Sequence, residues 1–365
     1  MSRSTLLDID TPTAVVDLDR LESNITTMAN IVRTSGKTLR PHTKTHKSPI
    51  IAYMQMSHGA CGLTVAKLGE AEVMQAAGFS DLFIANQIVG DLKIGRLLQL
   101  VDNALVTVGV DSIESSIPIA DAAAQRGASI NVMVEVDTGL GRAGVRSIEE
   151  AINLVRVIAE HKGISFAGIF THEGHLYREL GDGLRPAASD VANKMRDTAA
   201  AIHARTGIEC RTVSVGSTPG VRALADQSGI HEMRPGVYVF NDRMQVARGA
   251  SPESLALTIL ATVVSVRSDG AIIVDAGSKS LAGDTPFDDK TFGELLDHPD
   301  VKVRAVSEEH GILQAGHGHA FKVGDRVRIV PNHACTCVNM HDTLTFVRQD
   351  TVEEIVPVSG RGKIR

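Results

Sequence analysis

The chain contains no tryptophan, and aromatic residues make up only 3% of it. Tyrosine occurs at three positions, Tyr53, Tyr177 and Tyr238, so chemistry that needs a tyrosine acid or base has few places to find one. Cysteine is sparse as well. Cys61, Cys210, Cys335 and Cys337 are too scattered for the disulfide framework of a small secreted domain. The opening residues, MSRSTLLDIDTPT, lack the apolar core of a secretory signal peptide. No apolar run reaches the ~18 residues of a membrane span. The net charge is −6 and no basic block stands out, which argues against nucleic acid or an anionic membrane as partner. These absences leave a cytoplasmic globular protein as the expectation.

What is present is a long alternation of helix and strand. The 365 residues suffice for a large barrel plus an appendage. Apolar, β-branched runs at 39–44, 62–66, 81–86, 104–110, 130–137, 164–172, 212–217 and 233–240 read as eight strands. Helical periodicity separates most of them, at 17–32, 67–78, 89–101, 112–127, 147–163, 188–206 and near 220–226. This pattern predicts a parallel (β/α)8 TIM barrel over 13–250. Beyond 250 the rhythm changes to short alternating runs such as ALTILATVVSVR, GAIIVDAG and DRVRIVP. They predict an all-β domain over 251–365, joined by residues 1–12.

A parallel barrel carries its reactive groups at the C-terminal ends of its strands. That rule selects Lys44 after strand one, Asp137 and Arg142 after strand five, and His172, His175 and Tyr177 after strand six. It also selects Gly216-Ser217-Thr218 after strand seven, and Gly236 and Tyr238 on strand eight. GSTPG after a strand is a candidate phosphate cradle, since glycine lets backbone N–H groups approach and the hydroxyls add donors; a plain turn is the alternative. A lysine beside such a cradle suggests pyridoxal 5′-phosphate, with Lys44 as the Schiff-base amine. His42, His46 and Lys47 crowd it, and neighbouring cations with desolvation favour the free amine. The alternative is that Lys44 and Lys47 only form salt bridges on a loop.

His333-Ala-Cys335 follows DRVRIVPN. If the extended backbone continues, the two side chains share a face. Imidazole and thiolate suit a divalent ion, zinc above manganese, magnesium or cobalt, and two protein ligands leave positions open. Cys337 and His341 nearby keep the ligand set ambiguous, and Glu309 and His310 are candidates either for active-site residues from the β domain or for an outer layer that orients the metal ligands.

Taken together, RPHTKTHK, TPTAVVDLDRLESNI, EVDTGLGRAGV, VGSTPG, RPGVYVFND, DAGSKSL, EEHGIL and PNHACTCVNMHD cover nearly the whole chain. In them the sequence resembles the fold-type III pyridoxal-phosphate enzymes grouped as D-threonine aldolases and eukaryotic-type D-serine dehydratases. The resemblance implies an alanine-racemase-like fold, a homodimer and a small D-amino acid substrate. It implies Lys44 as the Schiff-base lysine, Arg142 beside the cofactor's phenolic oxygen, and Ser217, Thr218, Gly236 and Tyr238 around its phosphate. His333 and Cys335 match the metal pair. The family's aldolases usually carry His-x-Asp there, whereas His-x-Cys resembles the dehydratases; Thr336-Cys337 departs from the proline that often follows.

Dehydration of a β-hydroxy D-amino acid to a 2-oxo acid and ammonia is therefore the expected reaction. Retro-aldol cleavage to glycine and an aldehyde uses the same parts, with His42 or His172 as base. Racemisation by the alanine racemase route needs a tyrosine from the β domain, and no tyrosine lies beyond residue 250. A non-enzymatic cofactor carrier of the barrel-only kind would lack the β domain altogether.

Overall fold

The computed structural model describes residues 4–179, 181–286, 290–315 and 320–365. They form two compact units, one of residues 27–44, 51–236 and 363–365, the other of 1–26, 45–50 and 237–362. Strand β1 (Thr13–Asp17) and the start of the helix Leu18–Thr34 belong to the second unit. The first unit then lays down β2 (Thr38–Leu39), β3 (Leu63–Val65), β4 (Asp81–Ile84), β5 (Leu105–Val110), β6 (Ile130–Glu135), β7 (Ile164–Phe170), β8 (Thr212–Val215) and β9 (Glu232–Met233). All pair in parallel, β3 through β9 in sequence order with β2 beside β9. A bridge between His42 and Thr64 joins the two ends and closes the expected barrel.

The helices between the strands follow from apolar periodicity and capping. In Ile148–Glu160, Ala151, Ile152, Leu154, Val155 and Ile158 are buried on one face, while the Ser147 hydroxyl accepts the Glu150 N–H at the N-terminus. Inside the barrel Phe83, Met133 and Phe170 form a core cluster. The rings of Phe83 and Phe170 meet edge to face at 5.0 Å, and the buried Arg234 guanidinium lies 5.5 and 5.3 Å from their centroids.

Two strand ends differ from the expectation. β2 stops at Leu39, although His42 N–H still bonds Pro235 O, and Lys44 lies in a 3-10 turn over Thr43–Thr45. The eighth strand stops at Met233, so Gly236 and Tyr238 are not on it. Pro235 has no N–H for a ladder, and Val237–Val239 is a buried 3-10 turn. The sequence pattern also missed the helix Pro49–Ser57.

In the second unit β10 (Leu257–Val266), β11 (Ile272–Val274), β12 (Gly293–Leu295), β13 (Lys302–Val306), β14 (Gly311–Gln314) and β15 (Arg326–Pro331) pair antiparallel in a closed ring, in the order β10-β11-β14-β13-β12-β15. β1 adds to β10 antiparallel and to β16 (Thr343–Arg348) in parallel, and β17 (Thr351–Pro357) forms the edge. No helix among the described residues is long and apolar enough to cross a membrane.

Candidate active site

The run RPHTKTHK is built from one local device used twice. His42 Nδ1 accepts the Lys44 N–H at 3.4 Å, and His46 Nδ1 accepts the Ser48 N–H at 3.1 Å. Each imidazole thus fixes a turn two residues ahead of itself, as an Asx side chain does. The two lysines differ. Lys47 is buried with φ +51°, and its Nζ donates to Asn339 Oδ1 at 2.8 Å. Lys44 is half-buried and close enough to His172 for its charge to act on that imidazole.

Past β7 and β8 the chain converges on the Gly216 peptide from both sides. Its N–H donates to the buried Glu173 Oε2 at 2.9 Å, and its carbonyl faces His172 Nδ1 at 2.7 Å. A carbonyl only accepts, so His172 carries its proton on Nδ1 and presents a lone pair on Nε2. Burial first, and then the Lys44 cation, pull His172 down to about 3, so it is neutral at ordinary pH. Arg234 supports the same segment by donating to the Ser214 hydroxyl and, at 2.6 Å, to Thr171 O. Only glycine fits at 216, where a Cβ would lie 2.8 Å from Arg234 Cβ and 2.9 Å from its carbonyl oxygen.

The next residues form a small cradle. Ser217 Oγ accepts the Gly220 N–H at 3.3 Å, and Thr218 Oγ1 is shielded from solvent with no hydrogen-bond partner. Arg142 extends from the loop after β6, with its guanidinium 3.4 Å from the buried Glu135, which Gln87 also holds at 2.6 Å. Asp137 organises that loop: its Oδ1 accepts the N–H groups of Gly139 and Gly141. His175 packs its ring over Gly139. A cavity of about 280 Å³ between Arg40, Asp81, Thr107, Asn131 and Glu232 opens at the other end of the barrel, where Asp81 and Glu232 begin their strands. It is remote from the strand ends that carry chemistry.

In the second unit Tyr238 is buried, and His333 and Cys335 have a different backbone from the extended one expected. His333 alone is extended; it caps a short helix, Ala334–Val338, that contains Cys335. The helix starts here because Asp242 Oδ2 accepts the Ala334 N–H at 2.9 Å, and His333 O accepts the Cys337 N–H. The turn still brings the His333 and Cys335 side chains into hydrogen-bond reach. Thr45 Oγ1 lies 3.2 Å from Cys335 Sγ. Burial opposes charge on His333, but Cys335 and Asp242 outweigh it and raise the imidazole to about 11.

Cys337 and His341 are turned elsewhere. The thiol donates to Ser280 O at 3.2 Å, and His341 Nε2 lies 2.9 Å from the same carbonyl. Burial pushes the Cys337 thiol up, away from a thiolate ligand. Glu309 and His310 are exposed, and Glu309 pairs with Lys279 at 2.8 Å, so the carboxylate behind His333 is Asp242. Only the Asp-Arg-Met-Gln capping pattern at 242–245 signals Asp242 in the sequence, and it signals a helix start, not a histidine partner.

These residues fit the groups that the sequence implies. An unpartnered, shielded hydroxyl at Thr218 beside Ser217 suits phosphate oxygens, and a half-buried imidazole with a thiol suits a thiophilic divalent ion. Among the described residues no cluster of three or more His, Cys, Asp or Glu forms a larger ligand set.

Comparison with known proteins places the chain in a family. Residues 16–244 match the model described as alanine racemase, N-terminal domain, and residues 256–347 match a serine dehydratase domain. The chain is 34% identical to a D-threonine aldolase from Arthrobacter sp over 362 residues, 98% of this chain and 94% of the relative. It is 36% identical to the D-threo-3-hydroxyaspartate dehydratase of Delftia sp. (strain HT23) over 357 residues, 91% and 93% of the two chains. The solved structures that match include D-threonine aldolase from Filomicrobium marinum, with TM-score 0.92, 34% identity and 100% of both chains covered. They also include alanine variants of a D-threo-3-hydroxyaspartate dehydratase, with TM-scores 0.92 and 0.91 at 33% identity over 97% of this chain, at a histidine and at a cysteine two positions later, the cysteine variant in its metal-free form. The chain therefore belongs to the family of D-threonine aldolases and D-serine dehydratases, lyases built on the alanine-racemase fold.

Proposed function

We propose that this chain is a pyridoxal-phosphate- and divalent-metal-dependent lyase that dehydrates β-hydroxy D-amino acids. D-serine, D-threonine and D-3-hydroxyaspartate are the candidate substrates, and a 2-oxo acid and ammonia the products. One observation carries the choice of dehydration: the second member of the metal pair is a cysteine, held beside His333. When bound, the cofactor supplies an electron sink for the bond broken at the α-carbon, and the ion supplies Lewis acidity at the β-hydroxyl.

Each residue then has a task. Lys44 would provide the amine that holds the cofactor and the base for the α-proton. Ser217, Thr218, Gly236 and Tyr238 bind the phosphate, with Thr218 offering a hydroxyl that has no other partner. Arg142 would serve the cofactor's phenolic oxygen. His172, neutral and fixed by Gly216, accepts a hydrogen bond at Nε2 and orients the substrate. His42 holds the turn that carries Lys44. His333 and Cys335 hold the ion, which we take to be zinc because of the sulfur. The family resemblance extends the reading to a homodimer, and the lack of an apolar leader in the opening residues extends it to the cytoplasm.

Retro-aldol cleavage is the second reading, favoured by full-length likeness to D-threonine aldolases. It needs a base for the β-hydroxyl proton. His172, pulled down to about 3, is a weak one, and His42 Nδ1 is already engaged. To test the proposal, ammonia release from the three D-amino acids is measured before and after EDTA. The expected result is loss of release on chelation and recovery with zinc. Undiminished release after complete metal removal, with His333→Ala equally active, rejects the metal's part.

A further inference from the structure

The metal reading names two ligands and leaves open what makes them a site. Asp242 answers this through three contacts. It is fully buried, its Oδ1 accepts the Gln245 N–H at 2.9 Å, and its Oδ2 accepts the Ala334 N–H at 2.9 Å. The same Oδ2 lies 3.2 Å from His333 Nδ1. A carboxylate only accepts, so the shared proton sits on Nδ1, and Nε2 is the atom left to exchange its own proton for an ion. Asp242 therefore fixes both the ring and the start of the short helix that carries Cys335. Thr45 completes the arrangement on the sulfur side, with Oγ1 3.2 Å from Cys335 Sγ. A thiolate accepts that hydroxyl's proton as a hydrogen bond and keeps its remaining lone pairs for an ion.

We propose that Asp242 is a positioning residue for the metal site, holding His333 as the Nδ1–H tautomer that donates from Nε2, with Thr45 doing the corresponding work for Cys335. The inference rests on the metal reading above. Carboxylates hydrogen-bonded to a ligating histidine raise its basicity and fix its orientation, and their loss weakens metal affinity by about ten- to a hundredfold.

The test is zinc affinity, measured on purified protein by competition with a chromogenic chelator. The wild type is compared with His333→Ala, Asp242→Asn and Thr45→Val. Loss of binding in H333A, about ten- to a hundredfold weaker binding in D242N and a smaller drop in T45V are expected. Equal zinc affinity in wild type and H333A, or no zinc bound by the wild type, overturns the metal reading itself. Loss in H333A with wild-type affinity in a folded D242N, judged by an unchanged melting temperature and cofactor spectrum, overturns the role of Asp242 alone. Should D242N fail to fold, ¹⁵N NMR of the zinc-loaded wild type decides. A protonated Nδ1 on His333 supports the proposal, and a protonated Nε2 overturns it.

Discussion

Lys44 and Lys47 differ by three positions and by their surroundings. Lys47 is buried and committed to Asn339, while Lys44 lies next to the neutral His172. Lys44→Ala is expected to abolish the visible absorbance of bound cofactor. Lys47→Ala is expected to keep that absorbance and lose about 1.5–3 kcal/mol of stability, through loss of the charged hydrogen bond from a buried lysine to the half-buried Asn339. Absorption spectra and denaturant midpoints of the two variants check this; a retained cofactor band in Lys44→Ala rejects the assignment of Lys44. In the sequence the preference for Lys44 rests on a strand expected to run to it; the strand stops at Leu39, and Lys44 lies in the 3-10 turn that follows. The contact of Asp242 with His333 was not legible in the sequence, because the two lie 91 residues apart and no local pattern joins them.

At the scale of elements, close approach sets what each strand end tolerates. β7 carries a bulge, where Val132 pairs with Phe166 and Met133 with Gly168. Gly168 has φ +148°, and a Cβ there would lie 1.9 Å from Thr212 O of β8. Gly168→Ala is expected to shift β8 and with it the Gly216 peptide, costing about 1–3 kcal/mol. Thermal melts and cofactor titration measure the two effects together; a variant with unchanged melting temperature contradicts the packing account. Most barrel strands could be read from their β-branched runs. The eighth could not, because MRPGVYVF is apolar through a buried 3-10 turn as well as through a strand. Local periodicity likewise gave no sign that Thr13–Asp17 pairs with residues some 240 positions later, or that the helix Ala334–Val338 begins on a distant cap.

For the whole molecule, His172 links the site to acid stability. Its folded pKa, about 3, lies below the ordinary value of 6.5, so the unfolded chain binds the proton more readily between the two. The stability this burial leaves intact is fully present above pH 6.5 and is lost as the pH falls toward about 3. The loss approaches about 1.4 kcal/mol per pH unit for one such group. Urea midpoints measured across that range should fall less steeply for His172→Gln than for the wild type; parallel slopes would remove His172 from the account. At this scale the change from helix–strand alternation to short alternating strands was legible in the sequence, whereas the assignment of residues 45–50 and 237–250 to the second unit was not, because no local pattern marks them. The chemistry turns on D-threonine, which both candidate reactions can consume. Incubated with D-threonine and zinc, the cofactor-loaded protein is predicted to yield 2-oxobutanoate and ammonia. Glycine and acetaldehyde in their place would contradict the dehydratase reading.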